Sequence, residues 1–250
     1  MSLGGKRALV TGSSRGIGAA IARALAREGA TVVINHRNSE ADALRVADSI
    51  RSGGGRAVVI QADVSDVSSV DRMFKQIETD LGGLDVLVNC AGLASAAIWN
   101  SKFEEITAEM WKRVFEVDLI GTFLCSQRAV PLMKPQGGRI VNIASTPALT
   151  GDVEGIPYAP VKASILALTK MMARTLAPEV AVNCMVLGSI ETGWVEWLTE
   201  DKVQAYKESI PLRRFGTPDE VAKVAVFFAG DASSYVKGQS LVVDGGEVMD

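Results

Sequence analysis

The chain has 250 residues, a net charge of −3 and hydrophobic residues at 48%. That supports an apolar core large enough to cover a sheet on both faces, and the length suits one α/β domain or two small ones. Charges interrupt every apolar run before the ~18 residues a membrane span needs, no basic block offers a nucleic-acid surface, and the start of the chain lacks a charged stretch followed by an apolar one. Cys90, Cys125 and Cys184 form no paired motif and sit in apolar surroundings. They are expected to be free thiols in a reducing cytoplasm. A single histidine, His36, leaves chemistry that needs a histidine base or a His-containing metal cluster almost without a candidate.

Short β-rich runs alternate with helical patterns. In chain order the reading is strand 6–11, helix 17–28 with Ile17, Ile21 and Leu25 on one face, strand 31–35, helix 39–51 ended by Gly53-Gly-Gly55, strand 57–62, helix 66–81 and strand 84–89. A long helix, about 107–133, follows and stops at Pro135 and Gly137-Gly138; then come strand 139–144, helix 158–177, strand 180–187, helix 217–228 and a short strand 240–243. Strands alternating with helices imply parallel crossovers and a sheet covered on both faces. We expect one α/β domain, residues 1–250, with a Rossmann-type, doubly wound sheet and no linker or repeat. The less regular segments 93–105, 146–157 and 188–212 follow strand C-termini, where open α/β sheets bind ligands.

Thr11-Gly-Ser-Ser-Arg-Gly-Ile-Gly18 lies between the first strand and the first helix. Gly12 suits a tight turn, Gly16 a close approach of backbone to a pyrophosphate, and Gly18 close helix–strand packing; the helix N-terminus adds N–H donors. The second strand ends in Asn35-His36-Arg37-Asn38, without the carboxylate that usually meets a ribose 2′-hydroxyl, and Arg15 stands in the glycine loop. Two guanidinium groups and no acid suit a 2′-phosphate, so NADP is expected ahead of NAD. The alternative is that both arginines are solvated.

Three residues carry chemistry. Tyr158 and Lys162 stand four apart, on one face of a helix, where the ammonium favours the phenolate. Ser145 ends the strand before them, where its hydroxyl can hold a carbonyl oxygen. Together with the glycine loop, they point to reversible hydride transfer to a carbonyl.

On these motifs the chain resembles the short-chain dehydrogenase/reductase family along essentially its whole length, and most closely the subgroup that includes 3-oxoacyl-acyl-carrier-protein reductases and glucose dehydrogenases. The shared residues are the loop 11–18, Asp63-Val64 after the third strand, Asn89-Cys90-Ala91-Gly92 after the fourth, Ser145, Tyr158 and Lys162, Leu187-Gly188 after the sixth, and the tail 238–246. The resemblance implies a seven-stranded sheet, a homotetramer and a small carbonyl or alcohol substrate. It assigns the dinucleotide to Gly12, Ser14, Arg15, Gly16, Ile17, Gly18, Asn35, Arg37, Asp63, Val64, Asn89, Ala91, Gly92, Tyr158, Lys162, Gly188, Ile190 and Thr192. It assigns catalysis to Ser145, Tyr158, Lys162 and a fourth position, Asp118.

Three positions depart from the family pattern. Cys90 replaces an Asn. Leu187 replaces a Pro, which leaves the following loop less restrained. Asp118 replaces an Asn thought to bend its helix and hold a water leading to the lysine. An ionised Asp accepts but cannot donate, and it can pair with Lys162. Trp99, Trp194, Val195, Trp197 and Leu198 fall in site-facing segments and suit a substrate with an apolar part, or packing between subunits. An acyl-carrier partner calls for basic residues beside the site, whereas Glu179 puts an acid there. The small residues Gly121, Ala163, Ala167 and Ala173 suit close helix approach, either across an interface or within the subunit. A non-catalytic dinucleotide-binding sensor is the alternative to an enzyme; turnover of any carbonyl separates the two.

Overall fold

The computed structural model describes residues 3–93, 95–133, 137–152 and 154–249. Its centre is a seven-stranded sheet in the order β3-β2-β1-β4-β5-β6-β7. The strands are β1 (Arg7–Val10), β2 (Thr31–His36), β3 (Arg56–Gln61), β4 (Val86–Asn89), β5 (Gly138–Ser145), β6 (Val180–Leu187) and β7 (Ser240–Val243). Every pairing is parallel. Chain order reverses at β1, which pairs with β2 on one side and β4 on the other.

The helices are α1 (Gly16–Arg27), α2 (Glu40–Ser52), α3 (Val67–Leu81), α4 (Ala96–Trp99), α5 (Ala108–Val114), α6 (Gly121–Met133), α7 (Pro147–Thr150), α8 (Tyr158–Thr175), α9 (Glu200–Ser209) and α10 (Pro218–Ala229). Side chains alternate across each strand and feed two cores. Ala8, Val10, Val32 and Ile34 pack with α1, α2 and α10 on one face. Leu9, Val33 and Leu87 pack with α3 and α6 on the other. With both faces covered, the strands are nearly continuous apolar runs, and β6 is buried along its whole length.

The expected long helix over 107–133 is instead two helices joined by a π-helical segment, Phe115–Ile120, whose inner residue is the fully buried Asp118. Thr122 Oγ1 donates to the Asp118 carbonyl at 2.6 Å, so a side chain serves a carbonyl where the helical ladder is displaced. The 188–212 segment, expected to be irregular, holds a ten-residue helix, α9, capped by Thr199. Its polar sequence gives little apolar periodicity, which hid it from sequence reading. Pro135 lies outside the described residues.

Two of the small residues serve the subunit itself. Ala173 is in the core. Gly121 lies so close to β3's exit that a Cβ there would fall 2.8 Å from Val64 Cγ2. Substituting Gly121→Ala is expected to cost about 1–3 kcal/mol in urea unfolding, as overpacking does. Part of this should return in the Gly121→Ala/Val64→Ala double variant.

Candidate active site

The glycine loop is shaped by polar side chains buried beneath it. Thr11 Oγ1 accepts from the N–H groups of Cys90 and Ala91, both at 3.0 Å, tying the loop to the exit of β4. Ser13 Oγ donates to Val10 O at 2.6 Å and accepts from Asn35 N at 3.1 Å. Asn35 Oδ1 accepts from Gly12 N at 3.1 Å, and its Nδ2 donates to Ala62 O at 3.1 Å. The Asn35 side chain therefore works inside the scaffold and holds the loop's shape. Gly12 has φ +64°, and a Cβ on it would lie 2.8 Å from Ala91 Cα. A side chain at Gly12 would be both strained and blocked.

Gly16, Ile17 and Gly18 open α1, and Arg15 precedes it in an extended conformation without capping the helix through its side chain. The first turn carries no acid and no side-chain cap, which leaves backbone N–H donors for an anion. Ser14 is half-buried and Arg15 exposed beside this turn. Thr192, on the loop after β6, comes within 3.7 Å of the point where a Gly16 Cβ would sit. The loop, the open helix end and the residues around them fit a dinucleotide's phosphates.

At the ends of β2 and β3, a cavity of about 520 Å³ is lined by Arg37, Asn38, Gln61, Asp63, Ser69 and Arg72. Arg37 Nη1 lies 3.8 Å from Asp63 Oδ2. Asp63 Oδ1 accepts from the hydroxyl and the N–H of Ser65, at 2.6 and 3.0 Å. Sequence reading missed Ser69 and Arg72. Their three-residue spacing at the start of α3 places both on the side facing β3's exit, a signal that could have found them. Val64, by contrast, is buried against Gly121.

Asn89 also turns inward. Its Nδ2 donates to Asn142 Oδ1 at 2.9 Å and to Ser126 Oγ at 3.0 Å, and Asn142 Nδ2 donates to Thr169 Oγ1 at 2.9 Å. This buried polar chain links β4, β5, α6 and α8. The exposed Gly92 follows, and a Cβ there would lie 3.0 Å from Asp118 Oδ2.

Tyr158 and Lys162 occupy the first turns of α8. The Tyr158 ring meets Trp99 edge to face, with centroids 5.8 Å apart, and Lys162 Nζ lies 5.3 Å from its centroid. Lys162 Nζ pairs with Asp118 Oδ2 at 2.9 Å and donates to Ile143 O at 3.2 Å. Ile143 stands two residues before Ser145 on β5. Ser145 is half-buried, and its Oγ donates to Leu187 O at 3.1 Å. Burial pushes the Lys162 pKa down, but the Asp118 carboxylate, with smaller help from Tyr158, outweighs it and leaves the pKa raised. The ammonium is thus held charged. The neighbouring Cys90 thiol is pushed up to about 11 by burial, with Lys162 opposing.

Leu187 in place of Pro does not leave the next loop unrestrained. Glu247 from the C-terminal tail accepts from Ser189 N at 2.9 Å and Ser189 Oγ at 3.1 Å, against Gly188. Ile190 bridges to Gly216, and Trp194 Nε1 donates to Ile190 O at 2.6 Å. Beyond it, Lys202 on α9 pairs with Glu154 at 2.9 Å, joining the segment after β6 to the loop before Tyr158. Tyr206 on the same helix is pushed up to about 12 by burial and the acids Glu154, Asp152 and Glu247. His36 is buried at the end of β2. Among the described residues, no group of three His, Cys, Asp or Glu is placed to hold a metal ion, and no helix is long and apolar enough to cross a membrane.

Lys162→Met should strand the Asp118 carboxylate in the interior and destabilise the fold by about 3–5 kcal/mol in denaturant titration. Adding Asp118→Asn removes the stranded charge, and the double variant should recover much of that loss.

Comparison with known proteins agrees with this geometry. Residues 12–247 match the family described as "Enoyl-(Acyl carrier protein) reductase". The chain is 40% identical over 249 residues to the 3-oxoacyl-acyl-carrier-protein reductase of Aquifex aeolicus, covering 98% of each chain. The crystal structure of a dehydrogenase/reductase from Sinorhizobium meliloti superposes with a TM-score of 0.93 at 37% identity, covering 99% of this chain and 97% of the other. That of a short-chain type dehydrogenase/reductase from Mycobacterium marinum gives 0.92 at 37% identity, covering 100% and 98%.

Proposed function

The chain belongs to the short-chain dehydrogenase/reductase family and is an oxidoreductase, and from that premise we propose that it interconverts a carbonyl and a secondary alcohol with NADP(H), using Tyr158 as acid and base. The observation that carries the reading is Tyr158 held beside a buried, charged Lys162 on the β5 side of the cleft, downstream of an anion-ready glycine loop.

When bound, the dinucleotide supplies the hydride in one direction and takes it up in the other. Tyr158 Oη gives its proton to the substrate oxygen during reduction and takes it back during oxidation. The charge that grows on that oxygen is met by donors already in place: the Tyr158 hydroxyl and the Ser145 hydroxyl, which is free to turn from Leu187 O. Lys162, held by its ion pair with Asp118 and by Ile143 O, keeps N–H capacity for the cofactor side and its charge for the phenolate. Backbone N–H groups from Gly16 to Gly18 receive the pyrophosphate. Arg15, Arg37 and Arg72 favour the 2′-phosphate of NADP, although Asp63 draws on Arg37.

The reductase relative's name puts β-ketoacyl thioesters first in a substrate panel. Glu179, expected beside the site, instead precedes β6 at the amino edge of the sheet and does not bear on the substrate. The acids Asp152 and Glu154 near Tyr206 of α9 weigh against a carrier-bound form, so a free carbonyl compound with an apolar part is the reading we favour. Exposed Trp111, Phe115 and Phe123 leave apolar surface on the outer side of α5 and α6. They support self-association into a homotetramer. Cys90, Cys125 and Cys184 are free thiols, which supports a reducing, cytoplasmic setting.

The decisive experiment follows NADPH and NADH consumption over β-ketoacyl thioesters, sugars, aryl ketones and steroids. NADPH turnover on one class, with at least a 10²-fold loss of turnover in Tyr158→Phe, is the expected result. Near-normal turnover in that variant would remove Tyr158 from the mechanism, and equal affinity for NAD and NADP would remove the 2′-phosphate assignment.

A further inference from the structure

Asp118 does more than occupy a helix interior. Its carboxylate and the Lys162 ammonium are 2.9 Å apart, with side-chain exposures of 0% and 6%. Asp118 Oδ1 is fixed by Leu93 N at 2.7 Å, and its own carbonyl is taken by Thr122 Oγ1 at 2.6 Å. Lys162 Nζ donates to Ile143 O and forms its ion pair with Asp118 Oδ2. A carboxylate at this position changes the site's charge in a way an amide would not. The Lys162–Asp118 unit is neutral overall, and a neutral pair's potential falls off faster than that of a lone ammonium.

The other groups around the pair leave this charge balance alone. The Cys90 and Cys184 thiols both face Lys162, and burial pushes both up to about 11. Tyr158 faces it from α8 itself. Glu109, Lys112, Arg113 and Glu116, on α5 and the π-helical segment, are exposed. Asp118 is thus the only carboxylate acting on Lys162 among the described residues.

We propose that Asp118 is a positioning residue that acts through Lys162. It pins the ammonium and cancels part of its field at Tyr158, so the phenol keeps its proton to higher pH than an asparagine at this position would allow. The consequence is directional. Relative to an asparagine at this position, the carboxylate favours carbonyl reduction, which needs a protonated Tyr158, over alcohol oxidation, which needs the phenolate. The inference rests on the reading of Tyr158 as acid and base, and deepens it.

The test is Asp118→Asn, which preserves size and still accepts from Leu93 N. The chain has three tyrosines, so phenolate absorbance near 295 nm, with the matching Tyr158→Phe spectrum subtracted, reports Tyr158 ionisation without any substrate. The expected result is a midpoint lower by about one unit in Asp118→Asn. The pH at which reduction declines and oxidation rises should move down equally. An unchanged or higher midpoint in folded protein overturns the proposal. Should Asp118→Asn fail to fold, wild type decides: NMR titration of the Lys162 side chain must show it still protonated after Tyr158 has ionised, and earlier loss of its proton overturns the proposal. The outcomes separate the two readings. A shifted midpoint with an active Tyr158→Phe variant keeps the pairing and removes the catalytic role. An inactive Tyr158→Phe with an unshifted midpoint does the reverse.

Discussion

A parallel sheet buried on both faces leaves only its two edges of strand ends for polar chemistry. Helices on one face and helices on the other consume nearly every side chain between β3 and β7. Whatever acts on a substrate must then sit where the strands stop. The reversal of strand order at β1 opens a crevice on the carboxyl side, between the glycine loop and the exit of β4. Ser145 at the end of β5 and Gly188 after β6 extend that same edge.

This constraint explains why so many motif residues turn away from the cleft. Loops on a sheet edge must be held in shape, and each buried polar group must find a partner. Thr11, Ser13 and Asn35 spend their side-chain hydrogen bonds on the backbone of the loop and of the neighbouring strand ends. Asn89 spends its amide on Asn142 and Ser126. These residues fix the backbone of the loop, so a motif marks a candidate site without telling which atoms face it.

The same economy governs Lys162. An ammonium in the interior loses its hydration and needs a partner of opposite charge close by. Here the partner sits on a displaced turn of the helix crossing beneath the site, which couples the charge of Lys162 to the local geometry of Phe115–Ile120. Glu247 plays a comparable part for the loop after β6, where polar clamps from the tail do what a proline would do by restricting φ.

Local pattern by itself determined the seven strands, the order of helices between them, the glycine loop and the Ser145, Tyr158 and Lys162 set. Each of these is written in residues a few positions apart, by hydrophobic period or by turn chemistry. The boundaries of β6 and β7 were legible to the residue: β6 is a fully buried, nearly continuous apolar run, and the half-buried β7 is a short apolar run bounded by Gln239 and Asp244. Only the tertiary structure decided the π-helical break in the 107–133 helix, the α9 helix, the Trp99 contact with Tyr158, the Arg37–Arg72 cavity and the Glu154–Lys202 and Ser189–Glu247 clamps. The partners in each long-range contact lie tens of residues apart in the chain. No period or spacing encodes such a contact; it exists only once burial brings the strand ends together.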